Sequence, residues 1–191
     1  QGLPLYSLET FTPLGEFDVL GFSLQYEISY VDMLTMLDLA NIPLRSEGRT
    51  LADPLVLAGG PCAQNPEPVA PFIDVFVTGD GEPSLPLVCD RWLAVRREVL
   101  QGASPALGEA GRKQRADALA RLAATLPFAY VPSLYEPEYD DDGRFRGLRA
   151  LRAEGASTIE PSVIGDLESA VLPLAPILPA AECVHDRIAV E

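Results

Sequence analysis

The stretch "LVLAGGPCAQNPEPVAPFIDVFVTGDGE", residues 55–82, holds two apolar runs that each end at glycine. The first closes on Gly59-Gly60-Pro61, the second on Gly79-Asp80-Gly81-Glu82. Short apolar runs bounded by glycine and proline read as buried strands of a parallel sheet. Thirteen residues, four of them proline, separate Gly60 from Asp74, near the minimum for a crossover between parallel strands. Glycine and proline permit so tight a return, so the corners have a structural use. They also stand where open α/β sheets bind ligands, beyond the carboxyl ends of the strands. Spacing alone leaves both uses open.

Outward from this stretch the pattern repeats. "DVLGFSL" at 18–24 reads as another buried strand, with the same Asp-Val start as "DVFVTG". "ISYVDMLTMLDLA" carries Ile28, Val31, Leu34 and Leu37 at helical spacing and stops before Asn41 and Pro43. From Glu82 to about Leu100, Leu85, Val88, Trp92, Val95 and Val99 predict an amphipathic helix, with Pro83 and Pro86 tolerable in its first turns. A break at 102–111 leads to a further helix, "RKQRADALARLAATL", packed through Leu119, Leu122 and Leu126. Strand, helix, strand, crossover, strand, helix is the grammar of an α/β domain with a parallel sheet. The run Val131, Ser133, Tyr135, Pro137, Tyr139 then alternates up to a hairpin turn at Asp142-Gly143. A proline-rich extended connector, "LPLAPILPAAE", precedes a last strand, "RIAVE". The expected division is an α/β domain over 1–127, then the hairpin and connector over 128–191.

At 191 residues the chain can bury roughly 70% of the surface its unfolded form exposes. Its 28 acidic and 14 basic residues give a formal charge of −14, the wrong sign for a nucleic-acid backbone partner. No apolar run is long enough to span a membrane. No basic segment followed by an apolar one opens the chain, and Cys62, Cys89 and Cys183 are too scattered for a disulfide framework, so a reducing cytoplasm fits. Starting at Gln1 and ending in strand-like "DRIAVE", the chain reads as a piece of a larger protein.

The chemistry-bearing residues do not assemble into a catalytic set. "GDGEPS" has Ser84 where a dinucleotide fingerprint needs its third glycine, and Asp80 and Glu82 would repel a pyrophosphate. They do suit a helix N-terminus, where the dipole favours negative charge. "EYDDDGRFRGLR" grazes a calcium loop, but Arg149 stands where a bidentate glutamate is required, so it reads as a solvated turn. His185, the sole histidine, has no second ligand pair for zinc and no triad geometry, and reads as structural.

"GGPCAQNPEPVAPFIDVFVTGDGE" resembles the "GGPHxTxxPE…DxVVxGEGE" segment of radical SAM enzymes that carry an N-terminal cobalamin-binding-type domain. "YSLETFTPLGEFDVLGFSLQYE", "MLDLANIPL", "VPSLYEPEYDDDG" and "ECVHDRIAVE" are similar to other segments of large bacterial proteins of that group. The resemblance implies a doubly wound, flavodoxin-like sheet, with any cofactor over the carboxyl ends of the strands. It also implies that a segment like "VHDRIAVE" leads into a radical SAM domain, where a [4Fe–4S] cluster cleaves S-adenosylmethionine. Cobalamin-binding members carry D-x-H-x-x-G, S-x-L and G-G elements. Ser23 and Gly59-Gly60 match the last two, although the leucine is Leu24, adjacent to the serine. The histidine element would fall upstream of Gln1, and Cys183 and Ile188 rule out His185 as its replacement.

On this reading the piece is an accessory cofactor- or substrate-positioning domain with no catalytic residue of its own. Ser23, Gln25, Gly59, Gly60, Gly79 and Gly81 form its ligand edge, cobalamin is the cofactor the resemblance admits, and its own radical SAM domain is the partner. The alternative is a scaffold that docks a barrel or a protein partner through the hairpin Val131–Leu151 and the connector. A flavodoxin-like mononucleotide binder is a third reading.

Overall fold

A computed structural model describes residues 3–166, 168 and 170. Cys183, His185, "RIAVE" and the proline-rich connector "LPLAPILPAAE" lie outside the described residues. The main sheet has the order β1 (Val19–Ser23), β2 (Leu55–Gly59), β3 (Val75–Val77) and β4 (Ala129–Tyr130). β1, β2 and β3 run parallel, and β4 is antiparallel to β3. Helices α1 (Ser29–Leu39), α2 (Gly81–Leu100) and α3 (Gly108–Ala123) flank it, and β5 (Tyr135–Tyr139) with β6 (Phe145–Ala150) makes a separate antiparallel hairpin. The fold class is the expected one: a mostly parallel sheet with helices on both faces.

Alternation along the strands divides the core into two layers. Leu55, Leu57, Val75 and Val77 face Val88, Trp92 and Val95 of α2 and Leu119 and Leu122 of α3. Val56, Ala58 and Phe76 face Met33 and Leu37 of α1 together with Ala63, Val69 and Ile73 of the β2–β3 crossover. Both parallel connections pack on that second face, as successive right-handed crossovers advancing one way along a sheet must. The β3–β4 pair is antiparallel and free of that rule, so its long connection carries α2 and α3 over the other face. The crossover itself is two 3₁₀ segments, Pro61–Gln64 and Glu67–Phe72. Prolines at 61, 66, 68 and 71 forbid a regular α-helix there.

Four expectations shift. β2 is buried except at Gly59 and β3 is buried throughout, whereas β1 lies at the sheet edge with Gly21 and Ser23 exposed. On α1 the buried residues are Met33 and Leu37, while Ile28 is 82% and Val31 68% exposed. A series built from steps of three walks around a helix: nine residues at about 100° each put Ile28 half a turn from Leu37. α3 starts at Gly108, before "RKQRADALARLAATL", and Gly111 is required there because a Cβ would lie 2.0 Å from the Ala106 carbonyl oxygen. Finally, the alternating run breaks at the 3₁₀ turn Pro132–Leu134; Ala129–Tyr130 before it joins the main sheet, and only Tyr135–Tyr139 enters the hairpin.

At the amino ends of the strands sits a buried charge centre. The Asp74 carboxylate accepts from Val56 N (2.8 Å), Arg49 Nη1 (3.0 Å), Arg115 Nη2 (2.7 Å) and the Ser46 hydroxyl. Arg49 also donates to the carbonyls of Pro43, Leu44 and Phe72, and Arg115 to those of Thr50, Asp53 and Pro54. The Arg115 guanidinium lies 5.4 Å from the centre of the Trp92 ring. Burial alone would push the Asp74 pKa up; the Arg115 and Arg49 charges and their hydrogen bonds outweigh it and hold the carboxyl below its usual value.

Because the folded-state pKa is depressed, this stabilisation is complete above the unfolded-state value, about 4, and is lost as pH falls through the folded value. Asp74→Asn leaves two buried guanidiniums uncompensated and should cost about 3–5 kcal/mol in urea unfolding at neutral pH. The variant should also show a shallower loss of stability than wild type on acidification below about pH 4. A loss under about 1 kcal/mol, or equal acid slopes, would contradict the role given to this carboxylate.

Candidate functional site

The three parallel strands bring their carboxyl ends to one edge, where a cavity of about 550 Å³ opens beside the start of α2. Ser23, Gln25, Gly59, Gly60, Gly79 and Gly81 all line it. Register explains the gathering: Ser23 pairs with Gly59, and Leu57 pairs with both Gly21 and Val75. Residues two apart on a strand share a face, so Leu57 stands beneath Gly59 and Val77 beneath Gly79. Phe22, Leu57, Val77 and Leu85 supply the apolar lining, which the sequence reading missed. Counting back two residues from each glycine corner would have found Leu57 and Val77.

The glycines differ in why they lack a side chain. Gly60 has φ +88°, and a Cβ there would stand 3.1 Å from the Leu24 carbonyl oxygen. That crowding follows from a backbone clasp in which Leu24 N donates to Gly59 O and Cys62 N donates to Leu24 O. Gly79 has φ +89°, and its Cβ would fall 2.0 Å from the carbonyl oxygen of Ser162. Here residues 162–164 are laid along the end of β3. Ser162 N donates to Thr78 O (2.9 Å), Asp80 N to Ser162 O (2.8 Å), and Ile164 N to the Asp80 carboxylate (2.7 Å). At both positions the chain itself fills the space. Gly59 makes only an ordinary contact, 3.8 Å to Val77 O, and a Cβ on Gly81 would meet nothing within 4 Å.

Polar groups at the cavity are few. Gln25 Nε2 donates to Ser23 Oγ (2.9 Å), and Ser84 Oγ to the Asp80 carbonyl (2.6 Å) inside the first turn of α2. Glu82 in that turn suits the helix dipole. Among the described residues the cavity lining carries no Lys, Arg or His, so a phosphate there would face Asp80 and Glu82 without a counter-charge from them.

Other sequence candidates resolve locally. The Asp140 carboxylate accepts from Asp142 N (3.1 Å) and Arg144 N (2.8 Å), closing the hairpin turn, with Gly143 at φ +77°. Among the described residues no group of three or more His, Cys, Asp or Glu is arranged to hold a metal. Cys62 and Cys89 are free thiols. Burial, then the Asp90 charge, pushes the Cys89 pKa up, which leaves the less nucleophilic thiol at neutral pH.

A family described as radical SAM proteins, N-terminal, matches residues 1–132. No curated protein and no solved structure matches the chain.

The two corners should respond oppositely to a methyl group. Gly79→Ala, strained in φ and blocked by Ser162, should lose about 2 kcal/mol or more in urea unfolding, whereas Gly81→Ala should stay within about 0.5 kcal/mol of wild type. Equal effects would mean that residues 162–164 do not seat against Gly79.

Proposed function

The chain belongs to the radical SAM N-terminal family, matched over residues 1–132, and on that footing we propose that it is the accessory domain of a radical SAM enzyme. In the intact enzyme, S-adenosylmethionine is cleaved at a [4Fe–4S] cluster borne by a radical SAM domain of the same protein. The domain described here holds a cofactor or substrate over the mouth of that barrel. The observation carrying this reading is the convergence of Ser23, Gln25, Gly59, Gly60, Gly79 and Gly81 on one cavity at the carboxyl ends of parallel strands, where α/β sheets bind ligands.

Cobalamin is the cofactor proposed for it. The residues present fit one face of such a ring: Leu57, Val77 and Leu85 offer an apolar floor, and Gly59 and Gly81 leave it bare. Ser23 and Gln25 would hold polar groups at the ring's edge. Gly60 and Gly79 shape the walls without touching the ligand through their missing side chains, since Leu24 and Ser162 occupy those spaces. A corrinoid held there would supply cobalt redox and group-transfer chemistry; this chain's residues would bind it, orient it and keep water from its buried face.

A second reading, a scaffold docked onto the barrel, is favoured by exposed rings on the hairpin. Tyr139 and Phe145 stack edge to face at 6.1 Å and remain 61% and 58% exposed. Aromatic groups of that kind anchor protein interfaces.

The two readings separate in an anaerobic titration of the whole protein with hydroxocobalamin, followed by the corrinoid absorption bands. Cofactor binding predicts a saturable spectral change that Gly81→Phe weakens about tenfold or more, since the new ring enters open space in the cavity. No spectral change, in a sample whose iron–sulfur absorption is intact, would reject cobalamin and leave the scaffold.

A further inference from the structure

A second cavity, of about 690 Å³, lies where the β2–β3 crossover meets β4, the hairpin and residues 155–159. Its size falls within the usual range of small-molecule sites, about 300–1,000 Å³. Among the described residues it shares no lining residue with the strand-end cavity. Its walls are the rings of Tyr130, Tyr135 and Phe145 with Leu148 and Ile159, and its polar edge is Glu67. Tyr130 and Tyr135 stand 5.1 Å apart, tilted by 38°.

The hydrogen bonds already made decide what a ligand must bring. Tyr130 Oη donates to Glu67 Oε1 (2.5 Å), Tyr135 Oη to the Ala156 carbonyl (2.9 Å), and Thr78 Oγ1 to the Phe128 carbonyl (3.2 Å). A hydroxyl has one proton to give, and in all three that proton is committed to the protein. Burial, then the hydrogen bond to Glu67 and the Glu67 charge, raises the Tyr130 pKa far above the ordinary tyrosine value, so that proton stays in place. What the hydroxyls can offer a ligand is lone pairs, and an ionised Glu67 only accepts. Gln64 and Ser157, both exposed, can serve either role. Among the described residues the lining carries no Lys, Arg or His. The site therefore presents acceptors and negative charge beside aromatic faces, which themselves attract cations.

We propose that this cavity binds a small organic ammonium ion with a flat apolar body, its N–H groups directed at Glu67 and the tyrosine oxygens and its body against the aromatic walls. The site is independent of the corrinoid reading and can fail or hold without it.

Benzylamine is the probe, titrated into the whole protein by calorimetry, with benzyl alcohol as the neutral counterpart of the same shape. Benzylamine should bind saturably, and the alcohol at least about tenfold more weakly. Glu67→Gln keeps an acceptor for Tyr130 Oη but removes the charge; because Glu67 is exposed and its charge is screened, it should weaken benzylamine about threefold to fivefold. Phe145→Ala leaves the Tyr130–Glu67 pair untouched and should weaken it about threefold. Absence of saturable binding, equal affinity for the alcohol, or unchanged affinity in both variants would overturn the proposal.

Discussion

One carboxylate organises this domain. Asp74 is wholly buried at the start of β3, and its hydrogen bonds reach β2, the Ser46–Arg49 loop and α3. An isolated buried carboxylate would be prohibitively expensive, so the fold must deliver both guanidiniums to it. Arg49 comes from the loop that follows α1, and Arg115 from the helix over the opposite face. The requirement thereby fixes the two helical layers relative to each other at the amino ends of the strands. Arg49 and Arg115 also donate to main-chain carbonyls, so one centre satisfies six backbone acceptors as well, although Arg115 Nε is buried without a partner among the described residues.

With the amino ends locked, variation is left to the other edge. There β3 runs out into Thr78 and Gly79, neighbours that point to opposite faces. Thr78 lines the acceptor-rich cavity beside the hairpin, and Gly79 the cavity beside α2. A single strand end thus borders both. Close spacing of two glycine corners follows from the same geometry. Gly60 admits the Leu24 backbone and Gly79 admits Ser162, so each corner is first a place where another stretch of this chain comes in, and the cavity is what remains between them.

How much of this the sequence disclosed depends on how local the signal is. Glycine-terminated apolar runs located β2 and β3, the short apolar run after Asp18 located β1, and through them came the six edge residues, because strand ends and parallel register are set within a few residues. The two Asp-Val starts, by contrast, are the same in sequence and opposite in role. Asp18 is exposed and pairs with Arg96, while Asp74 anchors the core. The difference lies in Arg115, 41 residues further on, and no local pattern carries it. The face of α1 was misjudged for a different reason: the helix has apolar residues on more than one side, and spacing alone does not say which side meets the sheet. The cavity at Tyr130 and Tyr135 was hidden because it is assembled from the crossover, a two-residue strand and a hairpin, all set by tertiary contacts.

Residues 156–164 connect these features in space. Ala156 receives the Tyr135 hydroxyl and Ile159 lines the acceptor-rich cavity; Glu160 N donates to Pro127 O; Ser162 then lies against Gly79. With Ile159 packed on the core and the Asp80 carboxylate accepting from Ile164 N, backbone hydrogen bonds hold this strap at Pro127, Thr78 and Asp80. Such bonds depend on the path of the main chain and tolerate most side chains, with Gly79 the exception because the strap's backbone fills the place of its Cβ. A glycine that looks from the sequence like a concession to a ligand is thus a concession to the strap. The strap in turn gives the two cavities a common wall segment, bordering one at Ile159 and approaching the other at Ser162.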